Sequence, residues 1–503
     1  MVQLWKDEIW ANDRRAMRFL IALAATFITI SIGYAYAGEV WVAGWQLWTW
    51  LVCVAAAVIA LLPARWPTLH LDRAWWAKMG ALLVVALLLR ATFLNQMPGG
   101  FHIDEVGVGT FALGHVFPEP GRTISPFRTG PASQPALYHY LIRLTLPLFG
   151  NTIAGLRISS ALAGAATVAA TYAMVAVLQD RRTAWLSAIF MAAFHYHIHW
   201  SRIGLNNVWD TLWVPLMLAT YAWGWKRRWS GGAVLSGLAV GLSQYFYAGS
   251  KLGLLVLAYL IFHLWREERD QERLLIHAGK LTLVAICVAA PLFLFALRDP
   301  QNYFQRPGVV FGWQRSAIVE ATGGDVLAYA WRQLWRTVGA FTSVPDVTGF
   351  YGPGVPLVIG VAAPLFVVGF LWAVRQRQLV PVLWILLTIL LGGFMLTGAP
   401  SSSHYVVAIP AICWLVALPL GWLVEIGHWK WTAALLAVIV VTDLLFYFGI
   451  YVPGGPRDLI HPFPTWPPPT TKMGVEASAP TGEGTLTGGG EGQGGGSCFR
   501  SRS

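Results

Sequence analysis

The chain has 503 residues, of which 56% are hydrophobic and only 12% charged, with a formal net charge of +11. Soluble domains carry about 25% charged residues. This composition therefore excludes an ordinary soluble protein and predicts an all-α polytopic membrane protein, because apolar runs of about 17 to 25 residues recur along almost the whole chain. The surplus Lys and Arg sit mainly in short connections on alternate sides of these runs, which is a topology signal, and no basic, aromatic-interleaved soluble segment supports nucleic-acid binding.

Residues 1–18 are polar, with Lys6, Arg14, Arg15 and Arg18, and read as cytoplasmic. A first span is predicted at 19–37. Its end, Ala35-Tyr36-Ala37 before Gly38, also fits a signal-peptidase site, and both readings leave Gly38 outside. A second span at 45–62 returns to Arg65, Arg73 and Lys78, and a third at 79–94 leads out to GGFHIDEVGVGTFALGH at 99–115. The outer segment 95–152 is too long for a simple turn and holds amphipathic pieces at 106–117 and 135–149, expected as short interfacial helices. Further spans are expected at 153–178, 183–200, 208–225, 231–247, 249–265, 281–297, 355–374, 379–396, 405–424 and 431–451, about thirteen in all. A second long outer segment, 298–353, carries Arg298, Arg306, Arg315, Arg332 and Arg336; long loops are partly exempt from the positive-inside rule, and an anion site is the functional reading. Past Pro453 the composition turns to Pro, Gly, Ser and Thr, so 452–503 reads as a disordered tail. Of the four cysteines, Cys53, Cys287 and Cys413 lie inside apolar runs and Cys498 in the tail, a spacing that supports neither a disulfide framework nor a zinc site.

Chemistry concentrates in a few outer turns. Asp104 and Glu105 follow the third span directly. Neighbouring acids on a helix point about 100° apart, so one suits a general base and the other a metal, an orienting Arg or the loop itself; a solvated loop pair is the plainer alternative. Around YHIHWSRIGLNNVW at 196–209, His195 and His199 share a helix face at i, i+4 and fit either packing or metal ligation. Arg202, Asn206, Asn207 and Asp210 are polar groups at membrane depth, which usually face a cavity. Asp210 reads as a second acid or as a helix-start residue. Gln244, Tyr245, Tyr247 and Lys251 crowd the short turn QYFYAGSKL, where a lone ammonium beside tyrosine hydroxyls suits a phosphate, with snorkelling as the alternative. Arg306 in NYFQRPG is the corresponding cation of the long loop, and His404 in SSSHY faces the same side. No Walker-type loop, nucleophile elbow or His-Glu-x-x-His motif occurs.

The ordered set formed by the Asp-Glu loop, QPALYHYLIRLTLPLFGNTIAGLRISSALAG, HWSRIGL, YFYAGSKL, NYFQRPG and SSSHYVVAIP resembles the membrane-embedded GT-C glycosyltransferases of the protein O-mannosyltransferase and aminoarabinose-transferase kind (glycosyltransferase family 39 and relatives). The likeness spans 79–424 and leaves out the first two spans and the tail, so the expected organisation is 1–78, a membrane domain at 79–451 and the tail. The resemblance implies transfer of one sugar, with inversion, from a polyprenyl-phosphate donor to an unspecified acceptor at the outer face of a plasma membrane. Asp104 would be the base with Glu105 as partner, Lys251 and Arg306 would bind the phosphate, and a divalent cation is a possible cofactor, with Glu105, His195 and His199 as its candidate ligands. Two departures stand out: His404 occupies a place where many relatives carry Arg, and the family's second acid falls cleanly on no residue, Asp210 included. A transporter or flippase would place its polar groups near the midplane and often shows two related halves; neither an internal repeat nor a charge deep in several spans is visible. A catalytically silent member of the fold is the third reading.

Overall fold

The computed structural model describes residues 2–68, 72–130, 134–346 and 350–454, apart from the side chains at 2–14, 306, 307 and 309. The expected tail from 455 onwards, Cys498 included, lies outside the described residues. Two helices open the chain, α1 (Val2–Tyr36) and α2 (Trp45–Leu61), with the two-residue strand β1 (Trp41–Val42) between them. Then come α3 (Arg73–Ala91), α4 (Ile103–His115), β2 (Thr123–Ile124) and α5 (Leu137–Phe149). The middle of the bundle is α6 (Ile153–Leu178), α7 (Arg181–Ala193), α8 (His195–Ser201), α9 (Val208–Lys226), α10 (Gly231–Ser243), α11 (Ser250–Glu268) and α12 (Gln271–Arg298). Three shorter helices follow, α13 (Pro300–Val310), α14 (Arg315–Thr322) and α15 (Val326–Gly339), and the chain closes with α16 (Ala362–Arg375), α17 (Leu379–Ile389), α18 (Ser402–Tyr405), α19 (Ile409–Glu425) and α20 (Trp429–Leu444).

Helix starts follow the polar residue in front of each apolar run. Asp72 accepts the Trp75 N–H, Thr152 that of Gly155, and Asp270 that of Arg273, each satisfying one of the donors a helix N-terminus leaves open. Inside the bundle α6 packs on α3, α7 and α9, α10 is held between α9 and α12, and α19 lies against α7 and α16. The interior is one large apolar cluster with a small second one around Leu94, Ile158 and Ala161, while Phe27, Leu88, Leu297, Leu371 and Ile450 point outward. Outward apolar side chains on a closed helical bundle suit lipid, where every backbone polar group has to be paired within the chain.

Among the described residues six helices are long and apolar enough to cross a membrane, or seven if the bent pair α16 and α17 is one span, with α2 and α10 shorter apolar helices. The span expected at 183–200 is broken at Phe194 into α7 and α8, and the one expected from 355 begins as a helix only at Ala362. The amphipathic pieces of the first outer segment are indeed helices, α4 and α5. The N-terminal pair is joined to the rest: α1 packs on α12, and β1 pairs antiparallel with β2 so that Trp41 faces Ile124.

The expectation that charge is missing from the span interiors is corrected. Arg90, Arg157, Asp210 and Asp443 are all buried. A charge count per window cannot see them, because each window holds only one and its partners come from other helices.

Candidate active site

The turn that starts α4 separates its two acids. His102 caps the helix, its Nδ1 accepting the Asp104 N–H at 3.0 Å, while the Glu105 carboxylate accepts the His102 N–H at 3.1 Å. This is a reciprocal capping box with an imidazole in the usual hydroxyl's place. The Glu105 side chain is fully buried, whereas that of Asp104 is 28% exposed. Arg157 of α6 takes the Glu105 carboxylate with two N–H groups, Nε at 2.8 Å and Nη2 at 2.9 Å, a bidentate charge-assisted pair. The same guanidinium donates to the carbonyls of Leu94 (3.3 Å), Pro98 (3.2 Å) and Gly100 (2.7 Å), so one cation gathers the whole loop ahead of α4. Gly204 closes the cage: its N–H lies 2.6 Å from Glu105 Oε1, and an added Cβ would fall 2.8 Å from Leu156 Cγ. Asp104 is thereby left as the acid of this loop with access to solvent, on a backbone pinned by its neighbour.

A second centre is a cavity of about 390 Å³ whose lining is mostly apolar. Tyr247, Lys251 and His404 all line it, together with Tyr303 of α13 and Gln134 ahead of α5. The Tyr247 hydroxyl and His404 Nδ1 are 3.2 Å apart, and the Lys251 ammonium lies 5.8 Å from the Tyr303 ring centre, within cation–π range. Asp210, fully buried at the start of α9, is the acid near Lys251 behind the cavity wall. Its carboxylate presses so closely on the turn before α11 that a Cβ on Gly249 would lie 2.5 Å from Oδ2, which is why glycine stands there. His404 is held by its own turn: Ser402 N–H donates to Asp346 Oδ2 at 2.9 Å, the Tyr196 hydroxyl donates to the Ser402 carbonyl, and Asn207 Nδ2 donates to the Ser403 carbonyl at 3.2 Å. Asp104 is not among the residues lining this cavity; the two centres are linked through α4, which packs on α5, at whose start Gln134 and Pro135 line the cavity.

Residues 133–295 match the family described as dolichyl-phosphate-mannose-protein mannosyltransferase. An undecaprenyl phosphate-alpha-4-amino-4-deoxy-L-arabinose arabinosyl transferase of Pseudomonas fluorescens is 28% identical over 222 residues, which is 42% of this chain and 39% of that relative, so the match spans about two fifths of the relative's length. Among solved structures, ArnT from Cupriavidus metallidurans in the apo state aligns with TM-score 0.49 and 15% identity over 77% of each chain. The Archaeoglobus fulgidus oligosaccharyltransferase with a tethered acceptor peptide aligns with TM-score 0.46 and 14% identity over 78% of this chain and 56% of that one.

The matched segment contains Arg157, the three histidines of α8, Asp210 and Lys251, but not Asp104, Glu105 or His404. Several sequence-predicted residues sit elsewhere than expected. Arg202 does not reach the cavity: it is buried and donates to the carbonyls of Leu89 (2.8 Å), Thr92 (2.6 Å) and Met97 (3.3 Å), tying down the end of α3. His195 meets the Tyr351 hydroxyl at 2.7 Å through Nδ1, and His199 meets the Phe350 carbonyl at 2.9 Å through Nε2. Glu105 is spent on Arg157, and among the described residues no group of three or more His, Cys, Asp or Glu is arranged to hold a metal ion. Arg306 belongs to α13, the helix of Tyr303, but its side chain lies outside the described residues.

Other residues went unselected in the sequence. Arg157 lies in the LRISS stretch and was readable only as an arginine inside an apolar span, a costly placement that calls for a partner. Asp346 carries no local signal. Arg90 and His197 bond to each other (2.8 Å), and Asp443 accepts the His195 N–H (3.0 Å) across 248 residues.

Proposed function

We propose that the chain transfers a single sugar, with inversion, from a polyprenyl-phosphate-linked donor to a hydroxyl acceptor at the outer face of a membrane that it crosses about thirteen times. The observation that carries this reading is the meeting of Tyr247, Lys251 and His404, from two distant stretches of sequence, in one mostly apolar cavity. An apolar wall suits a prenyl chain, and a cation beside hydroxyl and imidazole donors suits the phosphate at its end. The arabinosyl transferase named above is in keeping with this chemistry. In the proposed step the acceptor oxygen bonds to the anomeric carbon as the carbon–oxygen bond to phosphate breaks. The phosphate leaves with the electron pair, and Asp104 takes the hydroxyl proton. Lys251 stabilises the charge that develops on the leaving phosphate. Asp210 holds the ammonium in place rather than acting on substrate, and Glu105 is a positioning residue for Asp104. Catalysis belongs to 79–451, with 1–78 and the tail outside it.

The test is sugar transfer by the purified full-length chain in proteoliposomes, using a panel of labelled polyprenyl-phosphate sugars. Asp104→Asn is expected to lower turnover by at least about a hundredfold, the usual worth of a positioned base, with donor binding unchanged. Lys251→Ala is expected to weaken donor binding more than it slows the bound complex. Full turnover in the Asp104 variant sinks the assignment of the base, and unchanged donor affinity in the Lys251 variant sinks that of the phosphate site.

A further inference from the structure

Helix α8 has seven residues, and all of them are buried. Buried polar groups are costly unless paired, so the partners of its side chains show what the helix holds. On one side the Tyr196 hydroxyl donates to the Ser402 carbonyl, in the turn that carries His404 to the cavity. On the other, His199 Nε2 donates to the Phe350 carbonyl at 2.9 Å, and His195 Nδ1 meets the Tyr351 hydroxyl at 2.7 Å. The His199 ring also stacks on that of Tyr351, with centres 4.1 Å and planes 19° apart. Trp200 packs on the Phe350 ring at 5.9 Å. Residues 350 and 351 are therefore gripped by backbone, hydroxyl and ring at once.

The grip continues into α4. Phe350 stacks on the imidazole of His102, with ring centres 4.4 Å and planes 21° apart. That imidazole is the cap whose Nδ1 accepts the Asp104 N–H at 3.0 Å, and the same nitrogen lies 3.9 Å from Asp104 Oδ2. Serine, threonine, aspartate and asparagine are the strongly preferred helix caps, but none of them offers an aromatic face. The ring at position 102 adds what a smaller cap lacks, a surface through which a segment held by α8 bears on the first turn of α4.

We infer that Phe350 is a positioning residue for Asp104, set against the His102 ring by α8, so that one buried helix fixes the acid of α4 relative to the turn bearing His404. The inference rests on the reading of Asp104 as the base and brings in residues that reading does not use. Misplacing a reacting group by about 1 Å can cost about a hundredfold in rate. A contact that never touches substrate can thus govern turnover.

The test follows sugar transfer by the full-length protein in proteoliposomes, together with hydrogen–deuterium exchange over residues 101–110. Phe350→Ala and Phe350→Leu are expected to lower kcat about tenfold or more, with donor KM within about twofold, and to speed exchange in the first turn of α4. Phe350→Tyr, which keeps the flat ring, is expected to retain both. His102→Asn keeps a strong cap without the stack. Combined with Phe350→Leu it is expected to lose no more than either change alone, since both remove one contact. Tyr196→Phe frees the cavity turn instead, and is expected to raise donor KM with exchange in α4 unchanged. Full kcat in the leucine variant, additive losses in the double variant, or faster α4 exchange in Tyr196→Phe would each overturn the inference. Exchange also separates it from the reading it rests on. Full transfer by Asp104→Asn would mean that the base is misassigned, whereas unchanged α4 exchange in the Phe350→Ala and Phe350→Leu variants would remove the positioning role whatever the activity.

Discussion

Two neighbouring carboxylates, one backbone step apart, have opposite fates in α4. Glu105 faces inward and completes the coordination of Arg157; Asp104 faces the solvent side and keeps its oxygens available. Because Glu105 and Arg157 are both fully buried, removing one charge strands the other, and breaking such a pair costs about 3–5 kcal/mol. Glu105→Gln is therefore expected to lower the thermal midpoint in detergent markedly, while Asp104→Asn leaves it within a degree or two. A midpoint unaffected by Glu105→Gln would show that the cage does not hold the loop. The same logic separates Arg202 from the cations of the cavity. Three backbone carbonyls already occupy it, and an arginine so used positions a helix end rather than a substrate.

At the level of elements, α4 and α5 form a small aromatic unit over the bundle. His139 is buried against Phe111, with ring centres 4.7 Å apart; its Nδ1 meets the Ala136 carbonyl at 3.3 Å and its Nε2 has no hydrogen-bond partner among the described residues. Phe111 stacks on His115, which stacks on Trp41 of β1, and the Arg122 guanidinium lies 4.4 Å from the centre of that indole. Burial pushes His139 down from 6.5 to about 4, helped by the nearby His115, whose own value burial also lowers. The fold thus prefers the neutral imidazole. Above the unfolded value neither state binds the proton and stability is complete. As pH falls from about 6.5 towards about 4 the unfolded chain is protonated first, and about 3 kcal/mol is lost. The thermal midpoint should fall between pH 7 and pH 4.5, and His139→Leu should flatten that dependence; an unchanged slope in the variant would place the titration elsewhere.

For the whole molecule, the first two spans are part of the packing even though they lie outside the family resemblance. Trp50 of α2 is buried, donates its Nε1 proton to the Val288 carbonyl of α12 at 3.0 Å, and meets Phe127 of the outer segment and Tyr245 of the cavity turn edge-on at 5.7 Å and 5.5 Å. Truncating a buried Trp to Ala costs about 3–5 kcal/mol. Trp50→Ala is expected to destabilise the entire bundle in one transition, and Trp48→Ala, whose side chain is exposed, to do little. Separate melting of an N-terminal unit in the Trp50 variant would contradict this. The α1–α2 pair thus acts as a brace on α12 and on the segment that leads to the cavity.

The sequence by itself determined the class of the molecule and singled out the residues proposed for its chemistry. Apolar runs of bilayer length announce buried helices, and polar residues at their ends (Asp104, Tyr247, Lys251, His404) are conspicuous because such groups are costly near lipid. Adjacent positions on a helix already required Asp104 and Glu105 to diverge. Only the tertiary structure decided which of them is free, since the answer depends on Arg157, 52 residues further along. It also decided that Arg202, His195 and His199 serve the scaffold, and that Tyr303, Lys251 and His404 share a wall. Local pattern reports what a residue is and how deep it lies; its partner across the bundle, which sets what it does, is chosen by helix packing.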